Sequence, residues 1–368
     1  MAAVTSGNTA VLNCLVELFG FPRVMAFSSS RPTSAEMQEI EVCLPILGIE
    51  IPETPDSAPT TTAPPTATTG PFAPLAATCP PEEPLPGGLS EQVLDVAGRQ
   101  REYSLYVPAS HDPFQPTPLV FILHGRGYSR NVGWWGFQPL ADNDGWILVY
   151  PQGLAPAVDN PFVGGLIPEI PQWNFKIMGA DIDSKYSDMD FFAAIREDLA
   201  LRTCVDAGRV FATGNSAGGY MSSEIACRLV PEFAAVAPVG GLLPPSRCNN
   251  DTPTPINVFY GKLDETNPYG GAIWRAGVEE SMASWADRNG CGEYSSTTIG
   301  ATTRTEWECP DGSDTVLYAA SDAGHTWPGL EDIVDEDGNV IHDWVPPINR
   351  DFSATEVIWE FLGNQSRG

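Results

Sequence analysis

From residue 102 to residue 362 the chain alternates short apolar runs with segments of helical spacing, and nothing else in it limits the fold as much. The runs are "EYSLYVP" (102–108), "PLVFILHG" (118–125), "WILVYPQ" (146–152), "RVFATG" (209–214), "AAVAPVG" (234–240), "INVFYG" (256–261) and "TVLYAAS" (315–321). Several are apolar without a break, which suits strands covered on both faces. Helical spacing recurs near 188–203, 217–230, 272–289 and 353–362. Repeated strand–helix alternation predicts an α/β fold with a mostly parallel central sheet and helices on both faces. In such sheets ligands meet the carboxyl ends of the strands. The Pro/Gly-rich stretch after Gln152 is expected to form the rim of that site.

The rest of the chain reads differently. Residues 52–78, "PETPDSAPTTTAPPTATTGPFAPLAAT", hold little beyond Pro, Thr and Ala and predict an extended, disordered linker. Residues 1–51 form a short N-terminal segment of no assigned role, which leaves 79–368 as the folded domain. The apolar stretch "TAVLNCLVELFG" (9–20) is interrupted by Asn13 and Glu17 and follows no basic residue, so it makes a poor signal peptide and is too short to span a membrane. A net charge of −28 and a pI near 4.2 argue against nucleic acid or an anionic membrane as partner.

Six of the eight cysteines (Cys79, Cys204, Cys227, Cys248, Cys291 and Cys309) fall in the folded part. None makes a CxxC pair or a Cys/His cluster at zinc spacing, so no metal is expected. An even set of this kind predicts disulfides and an extracellular setting. Cys291–Cys309 is the leading pair, because the Thr/Ser-rich stretch between them has the pattern of a hairpin. Cys227–Cys248 is the next.

"GNSAG" (214–218) has the form G-x-S-x-G, after the strand "RVFAT" and before the helix "AGGYMSSEIACRLV". In a nucleophile elbow the chain turns sharply from strand to helix, with the serine strained at the apex. The flanking glycines are needed where a Cβ would collide with a neighbouring element. The helix then aims its free N–H groups at developing negative charge. This makes Ser216 the candidate nucleophile.

A serine needs a base, and the base an acid to orient it. Of the four histidines, only His325 and His342 follow Ser216, the order expected of this elbow, and His342 lies in the acidic run "DEDGNVIHD". His325, in "DAGHTWPG" just past a strand, is the candidate base. Asp264, in "GKLDETNPYGG" after another strand, is the candidate acid; Asp322 lies too near His325 in sequence to reach it well. For the oxyanion hole, one donor is expected from the N–H of Ala217. The second is expected from "HGRG" (124–127), at Arg126, with Gly127 as the competitor.

Together "PLVFILHGRG", "CVDAGRVFATGNSAGGYMSS", "GKLDETNPYGG", "GCGEYSSTTIGATTRTEWEC" and "GHTWPG" resemble the secreted α/β-hydrolase esterases related to polyhydroxybutyrate depolymerases and to feruloyl and acetylxylan esterases. The resemblance runs from about Cys79 to Leu362. It implies an α/β-hydrolase catalytic domain with Ser216, Asp264 and His325 as triad, an acyl-enzyme route and no cofactor. Trp173 in "PQWNF" and Trp327 beside the candidate base are placed either on the substrate pocket or in the core.

The leading expectation is thus an extracellular serine esterase of the polyhydroxybutyrate depolymerase kind, acting on a polymeric or oligomeric ester. The alternative is a feruloyl or acetylxylan esterase working on plant polysaccharide. A further alternative is a non-catalytic binding protein on a hydrolase scaffold.

Overall fold

The computed structural model describes residues 85–128, 135–155, 170–177, 180–181, 186–230, 232–248, 250–272, 275–310, 312–330 and 347–367. The expected N-terminal segment and linker, His342 and most of the expected rim lie outside the described residues. The strands are β1 (Gly88–Val96), β2 (Arg99–Val107), β3 (Thr117–Leu123), β4 (Ile147–Pro151), β5 (Lys176–Ile177), β6 (Ala180–Asp181), β7 (Val205–Asn215), β8 (Ala235–Val239), β9 (Ile256–Gly261), β10 (Tyr294–Ile299), β11 (Thr302–Trp307) and β12 (Thr315–Ala320). The helices are α1 (Phe137–Asp144), α2 (Asp188–Arg202), α3 (Ala217–Arg228), α4 (Val278–Arg288) and α5 (Ala354–Gly363).

Among the described residues, ten strands form one sheet in the order β1-β2-β4-β3-β7-β8-β9-β12-β11-β10. The six central strands, β4 to β12 in that order, run parallel; an antiparallel pair is added at each edge. This is the arrangement of an α/β-hydrolase, as the alternation predicts.

Strand β3 shows why the central runs are apolar throughout. Its Leu119, Phe121 and Leu123 belong to the core on one face of the sheet, with Phe192, Met221 and Ile225 of the helices α2 and α3. Its Val120 and Ile122 join the opposite core, with Phe137 of α1 and Ile358 of α5. Every residue of β3 is buried, and each large side chain so buried contributes about 1.5–3 kcal/mol.

Strand β1, helix α1 and the short β5–β6 pair within the expected rim were not predicted. Strand β1 is an edge strand whose burial alternates between half-buried and exposed, and its apolar Leu89 and Val93 sit on the exposed side. It is joined to β2 through Ala97 and Gly98, both left-handed at φ 53° and 77°, with Asp95 Oδ1 accepting the Gly98 N–H at 2.8 Å. That two-residue turn sets the register of the pair. Helix α1 is short and polar, "FQPLADND", and buries only Phe137 and Ala141. The helix near 272–289 begins later than its spacing suggests, at Val278.

Cys291 is bonded to Cys309 across the foot of the β10–β11 hairpin, and Cys227 at the end of α3 to Cys248. Cys204 is also disulfide-bonded. Among the described residues no helix is long and apolar enough to cross a membrane.

Candidate active site

Strand β7 lies between β3 and β8 and passes into α3 through Ser216. Ser216 adopts φ 56° and ψ −115°, and apart from Ala97 it is the one described non-glycine residue in the left-handed region. Such a conformation costs on the order of 1–3 kcal/mol and persists only where its surroundings enforce it. Here they do. The Ser216 N–H donates to Val239 O at the end of β8 (2.8 Å), and its carbonyl accepts from Tyr220 N at 3.0 Å. Although Ser216 stands at the N-cap of α3, its hydroxyl caps nothing. Among the described residues the hydroxyl takes no hydrogen bond at all, so it is left to other chemistry.

The two glycines of the motif meet the same obstacle. A Cβ at Gly214 would strike Leu123 O and lie 2.8 Å from Leu123 Cβ; one at Gly218 would strike Leu123 O and lie 2.9 Å from His124 O. Both obstacles sit at the end of β3, which the elbow must approach closely. The Gly240–Gly241 pair after β8 serves the other side: a Cβ at Gly241 would strike Ser216 O. Gly218→Ala is therefore expected to destabilise the fold by about 3 kcal/mol or more, since backbone rather than a flexible side chain must yield. A urea-melt midpoint within error of wild type would show that the elbow has slack.

Asp264 and His325 follow β9 and β12, which are parallel neighbours, so both loops leave the same end of the sheet. His325 Nδ1 lies 2.7 Å from Asp264 Oδ2. Asp264 Oδ1 accepts from Thr266 N (2.9 Å) and Asn267 N (2.7 Å), and its side chain is fully buried. A carboxylate so surrounded by donors accepts only, which puts the imidazole proton on Nδ1 and leaves Nε2 as a base. The His325 ring covers Gly240, where a Cβ would lie 3.3 Å from Cε1. Gly240 directly follows Val239, the residue that holds Ser216. Asn267 Nδ2 donates to Gly240 O at 2.7 Å and ties the aspartate loop to this turn. Ser216 Oγ and His325 are not hydrogen-bonded here, a bond that often tightens only with substrate in place. Beneath the pair, burial pushes the Tyr220 phenol up to about 12, with the Asp264 charge adding to the rise, so it stays neutral.

The loop after β3 comes up against the serine. A Cβ built on Gly125 would sit 3.6 Å from Ser216 Cβ. The Gly127 N–H is already used, donating to Pro171 O at 2.7 Å. The N–H groups of Arg126 and Ala217 make no hydrogen bond among the described residues. Two donors thus remain unused on either side of Ser216.

The two tryptophans are packed in the core. Trp173 is fully buried, with its ring against His124 and Phe192 and its Nε1 donating to His124 O at 2.7 Å. Trp327 stacks on Trp135 at 4.7 Å and donates to Thr355 Oγ1 at 3.0 Å. Neither ring offers a face to solvent. Asp322 accepts from Asn349 at 2.9 Å, away from the imidazole, and His111 contacts Thr203 and Thr117. Sequence reading missed Asn267 and Asn215. The Asn215 Nδ2 is buried between Gly125 and Gly240, without a partner among the described residues; the only signal was its place beside the serine. Among the described residues no group of His, Cys, Asp and Glu is arranged to hold a metal ion.

The chain is 31% identical to feruloyl esterase C of Emericella nidulans over 240 residues, or 61% of this chain and 76% of that one. It is 28% identical to the putative esterase NocK of Nocardia uniformis subsp. tsuyamanensis over 264 residues, 64% of this chain and 72% of that one. An acetyl xylan esterase from Aspergillus awamori superimposes with a TM-score of 0.44 at 15% identity, covering 64% of this chain and 94% of that one. No protein-family model matches.

Proposed function

The chain belongs to the α/β-hydrolase esterase family of fungal feruloyl esterase C, and from that premise we propose that it releases ferulate or acetate from esterified plant polysaccharide. The chain is a serine-type carboxylic ester hydrolase, as the fold and the His–Asp pair support. The likeness to feruloyl esterase C carries the proposed reading; the site supplies Ser216 strained at the elbow and an imidazole whose free nitrogen is Nε2.

In this reading Ser216 Oγ attacks the ester carbonyl while His325 Nε2 takes its proton. Asp264 holds the imidazolium that forms. The N–H groups of Ala217 and Arg126 hold the oxyanion; the bond of the Gly127 N–H to Pro171 O supports Arg126 over Gly127. The alcohol leaves with the proton from His325. Water then attacks the acyl-enzyme by the same route and releases the acid. Disulfide bonding of the described cysteines supports an extracellular setting.

A polyester depolymerase would use the same machinery, but the likeness to feruloyl esterase C supports the feruloyl side. Initial rates on methyl ferulate, acetylated xylan and a poly(3-hydroxybutyrate) suspension separate the two. Ferulate or acetate release without clearing of the suspension is expected. Rapid clearing with neither release would overturn the proposal in favour of the polyester.

A further inference from the structure

His124 ends β3 as the first residue of "HGRG", and its ring is 1% exposed. Nδ1 lies 2.7 Å from Gly125 O, which can only accept. Nε2 receives the Gly153 N–H at 2.9 Å, which can only donate. The two backbone partners therefore set the tautomer: neutral, with the proton on Nδ1. Gln152 Nε2, at 3.2 Å from the same Nε2, adds a second donor on that side. The backbone of His124 is held as well, its carbonyl accepting from Trp173 Nε1.

The bond to Gly125 matters because of what lies across the peptide. In a trans peptide, C=O and the following N–H point in opposite directions. Fixing Gly125 O therefore fixes the direction of the Arg126 N–H, one of the two unused donors beside Ser216. Among the described residues the only other hold on Gly125 O is the longer bond from Tyr128 N, at 3.3 Å. Gly125 itself is free to rotate by more than any other residue type would be, so without the imidazole this peptide has little else to orient it.

The network behind the imidazole is buried. Arg101 Nη2 reaches Gln152 O at 3.3 Å and forms a buried ion pair with Asp188 at 2.6 Å. Asp188 also accepts from Asn174 N at 2.6 Å. The strand end carrying Gly153 and the segment carrying Trp173 are thereby clamped to α2.

We propose that His124 is a positioning residue for the oxyanion hole: its Nδ1–H holds the Gly125–Arg126 peptide so that the Arg126 N–H faces the tetrahedral oxyanion. The proposal rests on the esterase reading above. No proton is transferred by His124 itself.

Two amide replacements and one truncation test it. In His124→Asn the amide nitrogen takes the place of Nδ1 and still reaches Gly125 O. In His124→Gln the amide oxygen takes the place of Nε2 and accepts the Gly153 N–H, and no donor reaches Gly125 O. Rates are read on methyl ferulate per active site titrated with a fluorophosphonate, so that loss of folded protein drops out. Affinity is read for a trifluoromethyl ketone, which binds as an oxyanion, and for the product acid, which does not. His124→Gln and His124→Ala are expected to lower kcat on the order of 10²-fold, with KM within about threefold and ketone affinity falling in parallel. His124→Asn should recover most of both. Equal kcat for the Asn and Gln variants, or a loss confined to KM, would overturn the proposal, and the Asn/Gln pair decides even if the alanine variant fails to fold. If the wild type is inert on every ester and Ser216 resists the probe, the esterase reading falls and the positioning role with it.

Discussion

Replacing Ser216 with alanine is expected to reduce kcat on ester substrates by a factor on the order of 10⁴–10⁶. The size of the effect follows from what the hydroxyl does. Without it no acyl-enzyme forms, and the unused N–H groups of Ala217 and Arg126 are left to act on direct attack by water. A residue of catalysis above the solution rate survives in such variants, on the order of 10³-fold, because the oxyanion donors and binding remain. KM should change little, since Oγ makes no hydrogen bond in the resting structure. The measurement is a steady-state rate on purified protein, with fluorophosphonate labelling as a companion readout. Retention of most of the activity would remove Ser216 from the mechanism. Folding is not expected to suffer: alanine at the apex removes no hydrogen bond that the structure records, although the φ of 56° remains strained for it.

The second large effect concerns Asp264. Asp264→Asn is expected to lower kcat by about 10⁴, a loss made through the imidazole rather than through any contact with substrate. The carboxylate can only accept the Nδ1–H of His325. The Thr266 and Asn267 N–H groups occupy the other oxygen, so an asparagine here satisfies them best with its own oxygen and turns its NH₂ toward His325. The imidazole must then accept at Nδ1 and carry its proton on Nε2, where it has no lone pair for the Ser216 proton. Raising the pH should not rescue the variant, because the fault is the tautomer and not the charge. An Asp264→Asn enzyme with near-normal kcat would mean that another group orients His325. Asp322, the rival in sequence, is engaged by Asn349.

Much of this was legible in the sequence. The unbroken run of β3 announced a strand covered twice, and the structure divides its residues between two cores. The G-x-S-x-G pattern between strand and helix implied a close approach at both glycines, and Leu123 is the element approached. The Cys291–Cys309 bond was readable because the Thr/Ser-rich residues between them have the pattern of a hairpin, and β10 and β11 do pair as one.

Other features were not legible, for two reasons. Strand β1 and helix α1 bury little, so their composition carries weak periodicity. Trp173 and Trp327 have neighbours that fix them in the core, His124 and Trp135, and those neighbours lie far away along the chain.

What the amino-acid sequence determined by itself is whatever depends on spacing and order: the α/β alternation, the elbow, and the succession of Ser216, Asp264 and His325. These are local patterns, set by backbone geometry over a few residues at a time. What the tertiary structure alone decided is which polar groups are already satisfied. Gly127 and Arg126 are adjacent and alike as backbone donors, yet among the described residues Pro171 takes the N–H of one and nothing takes that of the other. A hydrogen bond depends on where the partner lies in space, and a partner from another segment is placed by the packing of the whole sheet.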